Sequence, residues 1–403
     1  MMEKVYIVAA KRTPIGAFGG SLKNTSAGNL AAVAIKGALE AAKLGSDKVD
    51  EVIVGNVVSA GQGMGVGRQA AIFAGIPESV PAYGVNMVCG SGMKTVMDAV
   101  SHIRSGDAQV VVAAGVEVMS QIPFTVPSSV RDGNRMGNME MKDLLITDGL
   151  TDIYNQYHMG VTAENVAKEV GITREQQDAF ALASQQKAVA AIEAGKFKDE
   201  IVPVEVKQRR ETVLFDTDEY PKANATLEGL SKLRPAFDRE GTVTAGNASG
   251  INDGASAIIV ASESAVQAHG LTPLAEIVSY AQSGLDPKIM GLGPVESVNK
   301  ALKKADLTIQ DIDVYELNEA FAAQALGVIH QLAETNQISV SAIQDKANFN
   351  GGAIALGHPL GASGNRILVT LVHELHKQDA QYGVASLCVG GGMGTAVILK
   401  AIK

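Results

Sequence analysis

Two cysteines stand out in this chain because of their rarity and their neighbours. Cys89 and Cys388 are the only two, and each runs into glycine-rich sequence: Cys89-Gly90-Ser91-Gly92 and Cys388-Val389-Gly390-Gly391-Gly392-Met393-Gly394. Cys89 follows Asn86-Met87-Val88, where the pattern turns from strand to helix and small residues leave room around a sulfur. At a helix N-terminus the backbone N–H groups and the dipole favour thiolate, the nucleophilic form, so the expectation is a pKa below the free value of about 8.5. The plain alternative is a buried cysteine filling a core gap. Cys388 ends an apolar run at a turn rich in unhindered N–H donors. A thiol with a pKa of about 8–9 can carry protons, which suits the deprotonation of a carbon acid. The alternative, a disulfide to Cys89, is disfavoured in a reducing compartment.

His358 lies in the 350–364 segment, which is too glycine-rich to be one regular element and is suited to close approach of a ligand. It could accept the Cys89 proton or donate a hydrogen bond to a thioester carbonyl oxygen. His102, His269, His330, His373 and His376 fall in helical patterns and read as structural. Asn318-Glu319-Ala320-Phe321 follows a Val314-Tyr315 strand and starts a helix, so Asn318 either caps that helix or holds a water or carbonyl in an oxyanion site. No cluster has metal-ligand spacing.

These residues need a scaffold of some size. The chain has 403 residues, enough for two or three units, and 43 glycines with no tryptophan, a balance that suits tight turns in an α/β architecture. The formal net charge of −9 carries no concentrated basic stripe, which argues against a nucleic-acid footprint. No apolar run approaches the roughly 20 residues needed to cross a bilayer. Met1-Met2-Glu3-Lys4 leads straight into the apolar run from Val5 to Ala10, which reads as a first buried strand and not as a signal or transit peptide. A soluble, cytoplasmic protein is expected.

Apolar runs such as Val52-Ile53-Val54 and Val110-Val111-Val112 alternate with helical patterns such as Leu30, Val33, Ala34, Ala38 and Leu39, ending near Gly45. Continuous apolar strands imply cover on both faces, hence a layered α/β sheet. The pattern also repeats. Residues 5–8 are matched by 274–278, and residues 50–54 by 311–315. A helix opening at Cys89, with Met93, Val96, Met97 and Val100 inward, is matched by one opening at Gly361, with Ile367, Leu368, Leu371, Val372 and Leu375 inward. Between the copies, residues 121–247 are more polar and punctuated by proline, yet Thr173-Arg174-Glu175-Gln176 spells a capping box that starts a long helix. The division is 1–120 with 248–272, an insertion at 121–247, and 273–403.

Taken together, the Cys89-Gly90-Ser91-Gly92, Asn318-Glu319-Ala320-Phe321, Gly357-His358-Pro359 and Cys388-to-Gly394 motifs resemble the thiolase family in order and spacing over the whole chain, most closely its biosynthetic branch of acetyl-CoA acetyltransferases. The resemblance implies a five-layered αβαβα fold of two duplicated domains with a loop domain inserted in the first. It implies ping-pong chemistry: His358 activates Cys89, an acetyl-enzyme forms, and Cys388 deprotonates a second acetyl-CoA that condenses to acetoacetyl-CoA. One oxyanion would sit with His358 and an Asn318-bound water, the other with the N–H groups of Cys89 and Gly390. Coenzyme A and acetyl-CoA would be substrates and products, with no permanent cofactor. Tyr157-His158-Met159-Gly160 resembles the segment shaping a short acyl pocket, narrowed by Met290. Leu150, Phe237, Ala245, Ser249, Ala320 and Phe321 resemble the CoA groove. Lys222 and Gly229 stand where relatives can carry Arg and Ser, which implies weaker or differently placed phosphate pairing, because a lysine lacks the guanidinium fork. The loop with Arg131, Arg135 and Lys142 resembles the one that pairs dimers into a homotetramer; the alternative is a solvated charged loop.

Three other readings share parts of this pattern. A degradative 3-ketoacyl-CoA thiolase would act on longer chains, and His158-Met159 argues against it. A ketoacyl synthase would carry His or Asn in place of Cys388. A non-catalytic acyl-CoA or lipid-binding relative would have lost Cys89, His358 or Cys388, and all three are present.

Overall fold

A computed structural model describes residues 3–208 and 211–403. The strands that build its main sheet are β1 (Val5–Arg12), β2 (Glu51–Gly55), β3 (Ala82–Val85), β4 (Val110–Val118), β5 (Asn252–Ser262), β6 (Ala275–Gly284), β7 (Val314–Leu317), β8 (Tyr382–Val389) and β9 (Met393–Ala401). They lie in the order β7-β8-β9-β6-β1-β5-β4-β2-β3, with Gly16–Ala17 pairing as a short extra strand on β5.

Outward from the seam between β1 and β6, the order is the same on both sides for four strands, with β3 an extra strand beyond β2. From β1 the pairings run antiparallel to β5, antiparallel to β4 and parallel to β2. From β6 they run antiparallel to β9, antiparallel to β8 and parallel to β7. The halves join where Tyr6 pairs with Glu276 and Ile7 with Ala275. The repeat read in the sequence is therefore a repeat of topology, β1 answering to β6 and β2 to β7.

The helices complete five layers. α1 (Ala27–Ala42) and α2 (Val66–Phe73) cover one half on the outside, over a core that includes Leu30, Ile35, Val54, Val112 and Ile259. α1 ends at Lys43, which adopts φ 52, two residues before the glycine the sequence suggested. α6 (Gly293–Ala305) and α7 (Ala322–Thr335) cover the other half, over Val298, Leu302, Ile329, Leu332 and Ile398. Between the halves lie α3 (Ser91–Ser105) and α8 (Leu360–Lys377), whose side chains Met93, Val96, Met97, Val100, Ile367, Leu368, Leu371, Val372 and Leu375 share one buried core with strands of both halves. Burial on both faces explains why these strands are continuously apolar: all nine residues of β4 are buried.

Residues between β4 and β5 include α4 (Met159–Val170), α5 (Arg174–Glu193) and a hairpin of Val204–Gln208 with Glu211–Phe215. Thr173 and Gln176 form the reciprocal capping box, which contributes about 1 kcal/mol to helix stability. Arg12 at the end of β1 anchors this segment, its fully buried guanidinium bonding Glu200 at 2.6 Å and Asp218 at 2.7 and 2.9 Å. α4 packs on α7, placing the insertion over the site end of the second half.

Candidate active site

Cys89 sits in a tight turn between β3 and α3. Val88, just before it, has φ 47, a left-handed conformation that is unfavourable for a β-branched residue and stores on the order of 1–3 kcal/mol. The turn is latched by Ser91, whose Oγ accepts from Met87 N at 2.8 Å and donates to Val88 O at 2.6 Å. Sequence reasoning gave neither residue a role; the signal was a hydroxyl in the first helical turn after the cysteine.

α3 and α8 cross with their N-termini nearly in backbone contact. A Cβ on Gly92 would lie 2.7 Å from Gly361 O, and one on Gly361 would lie 2.5 Å from Val116 O, so both positions exclude any side chain. This crossing brings the loop before α8, with His358, to the turn that carries Cys89. From the other side β8 delivers Cys388, which is followed by a turn where Gly391 and Gly392 both have φ 87. The glycine-rich signature is used there for conformation.

Cys89, His358, Cys388 and Gly390 all line one cavity of ≈ 370 Å³. Leu150, His158, Met159, Phe237, Ala245, Ser249, Met290, Ala320 and Phe321 line it too. The His158 ring stacks on Phe237 at 4.6 Å, and Phe237 meets Phe321 edge-on at 6.1 Å. Lys222 and Gly229 lie in an adjoining pocket, which shares Tyr220 and Ala245 with the first. The Lys222 ammonium there lies 5.6 Å from the centre of the Tyr220 ring.

Asn318 does not line the cavity. It lies just past β7, and α7 begins only at Ala322 with Phe321 in the capping position, so Asn318 caps no helix. Its amide is buried, and neither its nitrogen nor its oxygen has a hydrogen-bond partner among the described residues.

The electrostatics overturn one expectation. Burial pushes the Cys89 thiol up to about 11, against the opposing pull of the Gly390 and Cys89 backbone N–H groups. A helix N-terminus favours thiolate only locally, and here the loss of water outweighs it. Cys388 is raised further by burial and by the neighbouring Cys89. His358 is pushed down to about 4 by burial, and then by the Arg366 charge. At neutral pH both thiols and the imidazole are uncharged.

The tautomer of His358 follows from its partner. Ser363 Oγ donates its one proton to Pro359 O at 2.9 Å, so at 2.6 Å from His358 Nδ1 it must accept. Nδ1 therefore carries hydrogen and Nε2 keeps a lone pair for a proton. His158 is set the opposite way, since Nδ1 accepts from Gly160 N at 3.0 Å and its hydrogen is on Nε2.

Among the described residues, no group of three or more His, Cys, Asp or Glu is arranged for a metal ion. No helix of these residues is long and apolar enough to cross a membrane.

Family models for "Thiolase, N-terminal domain" and "Thiolase, C-terminal domain" match residues 5–264 and 271–401. An acetyl-CoA acetyltransferase of Cupriavidus necator is 56% identical, covering 99% of this chain and 100% of the relative. The crystal structure of the Bacillus anthracis acetyl-CoA acetyltransferase superposes with a TM-score of 0.95 at 44% identity, covering 100% of this chain and 99% of that one. Human mitochondrial 3-ketoacyl-CoA thiolase in complex with CoA gives 0.93 at 47% identity, again covering 100% and 99%.

Proposed function

Since the chain belongs to the thiolase family, we propose that it is an acetyl-CoA C-acetyltransferase that reversibly condenses two acetyl-CoA molecules to acetoacetyl-CoA and CoA through an acetyl-Cys89 intermediate. The observation carrying this reading is that two cysteines and a histidine, far apart in sequence, meet in one largely apolar cavity.

The protonation states set the order of events. As Cys89 attacks the thioester, its proton passes to Nε2 of His358, so no thiolate has to exist beforehand. The tetrahedral oxyanion is held by the N–H groups of Cys89 and Gly390, which already face the sulfur. Collapse breaks the C–S bond to coenzyme A. Cys388, neutral at rest, acts first as an acid and protonates the departing CoA sulfur. The Cys388 thiolate and the His358 imidazolium then coexist. A second acetyl-CoA enters, the thiolate takes a proton from its methyl carbon, and the enolate oxygen is held by His358 Nε2–H and by a water on Asn318. The enolate carbon attacks acetyl-Cys89, and the released Cys89 sulfur recovers its proton from His358. Protons and charge return to their starting places. Coenzyme A acts throughout as substrate and product, its pantetheine running past Phe237, Ser249 and Phe321 and its nucleotide toward Lys222 and Gly229.

The fold alone does not fix chain length, because the human 3-ketoacyl-CoA thiolase superposes almost as well as the Bacillus enzyme. The pocket does so in our reading: Met159 and Met290 are buried at its acyl end, and the His158–Phe237 stack closes one side. Thiolysis of acetoacetyl-CoA should exceed that of a ten-carbon 3-ketoacyl-CoA by at least about a hundredfold in kcat/KM, in the range that pocket size can discriminate. Comparable rates would make this a broad-range degradative thiolase, and no turnover on either would sink the enzyme reading.

The same reading places the protein in the cytoplasm, where its two unpaired cysteines stay reduced. It also makes the 131–142 loop a contact between copies of the chain. Met136 is 93% exposed there, Met139 and Met141 also point outward, and Phe124, Val126 and Val130 just before the loop do too, more apolar surface than a solvated loop needs. Light scattering should give the mass of four chains, falling to two when Met136 and Met139 become serine. A wild-type dimer would end the proposal.

A further inference from the structure

Glu117, near the end of β4, is fully buried, and its carboxylate accepts four hydrogen bonds. Oε1 accepts from Asn56 Nδ2 at 3.0 Å and Val58 N at 3.1 Å. Oε2 accepts from Val57 N at 2.9 Å and Gly361 N at 2.8 Å. The second oxygen joins two paths. Through Val57, whose carbonyl accepts from Asn86 Nδ2 at 3.0 Å, and through Asn86 Oδ1, which accepts from Val88 N at 3.0 Å, it reaches the strained turn of Cys89. Through Gly361, in the first turn of α8, it reaches the loop of His358 three residues earlier.

We propose that Glu117 is a positioning residue for the reaction, its carboxylate setting the Cys89 turn and the His358 loop at their working separation. Glu117, Val57, Asn86 and Gly361 do not line the cavity, so the effect is exerted through the two reacting side chains. Only an acid fits the position. Both oxygens face donors alone, and the amide of a glutamine would have to turn its NH₂ group against one of the two donor pairs. Burial, opposed by the N–H donors, pushes the Glu117 carboxyl up to about 7, and its charge raises the Cys89 thiol.

The inference rests on the proposed function for its kinetic readout but not for its chemical one. In Glu117→Gln, thiolysis of acetoacetyl-CoA should lose at least tenfold in kcat with KM within about threefold, since a displacement of about 1 Å can cost 10²-fold. Asn86→Ala, at an exposed position that breaks only the Cys89 path, should lower kcat in the same direction without lowering Tm. Alkylation of Cys89 by iodoacetamide should shift to lower pH in Glu117→Gln, because a negative neighbour has gone, and stay unshifted in Asn86→Ala. Active wild-type enzyme with both variants matching it, or a loss confined to KM, overturns the role of Glu117 and leaves the acetyltransferase reading standing. An inactive wild type overturns that reading instead, and the alkylation shift still decides whether Glu117 acts on Cys89. If Glu117→Gln fails to fold, Asn86→Ala decides.

Discussion

Replacing Cys89 with alanine is expected to abolish thiolysis and condensation alike, by at least about 10⁴-fold, while CoA still binds with little change. The size of the effect follows from the loss of a covalent route: binding and the oxyanion donors remain, but no acyl group can be held between half-reactions. Intact mass after mixing with acetyl-CoA should show one acetyl adduct on the wild type and none on Cys89→Ala. The raised thiol adds a pH dependence. Because burial favours the neutral form, the rate of Cys89 alkylation in the free protein should keep climbing through pH 9 and 10, toward about 11. A plateau below pH 8 would reveal a preformed thiolate and contradict proton transfer to His358 during attack. Residual turnover in Cys89→Ala would remove the acetyl-enzyme altogether.

Cys388→Ala should divide the reaction in two. Acetylation of Cys89 by acetyl-CoA should persist, with solvent able to protonate the departing CoA, but condensation should fall by about 10²–10⁴-fold, the usual worth of a positioned acid or base. The diagnostic measurement is exchange of the methyl protons of acetyl-CoA with deuterated water. Wild-type enzyme should catalyse it and Cys388→Ala should not, since the thiolate that removes the proton is absent. The geometry favours this division, because Cys388 is almost wholly buried and shares the cavity with Cys89. If exchange and condensation survived at full rate, another group would have to be the base.

How much of this was readable beforehand depends on how local each feature is. The inward faces of α3 and α8 were legible from their spacing, and the continuous apolar strands announced cover on both sides. The topological repeat could be traced from short matches at residues 5–8 and 50–54. Glycine-rich flanks drew attention to Cys89, His358 and Cys388 because such flanks are local. Desolvation of the Cys89 thiol is set by everything packed around it, which a helix-terminus argument leaves out. The strained dihedral of Val88 has no sequence signal, because the residue carrying it is an ordinary apolar one. The choice for Asn318 between a cap and an oxyanion site stays open in the sequence, because the start of α7 at Ala322, with Phe321 in the capping position, has no local signal. Glu117 was invisible for a deeper reason. Its acceptors serve residues about 60 and 244 positions away, brought to it by the pairing of β2 with β4 and by the docking of α8.

The pairing of β1 with β5 has a consequence for how the protein is made. Val5 pairs with Ser262, so once β1 has left the ribosome it waits for about 257 further residues before its neighbour on that side exists. At about 5–20 residues per second that is roughly 13–50 s with an apolar strand unpaired. The insertion before β5 supplies much of the delay. At equilibrium the long span costs little, because closure entropy grows only with the logarithm of its length. In the cell the cost is one of timing, so the nascent chain is the stage at which a holdase chaperone would find the most to protect.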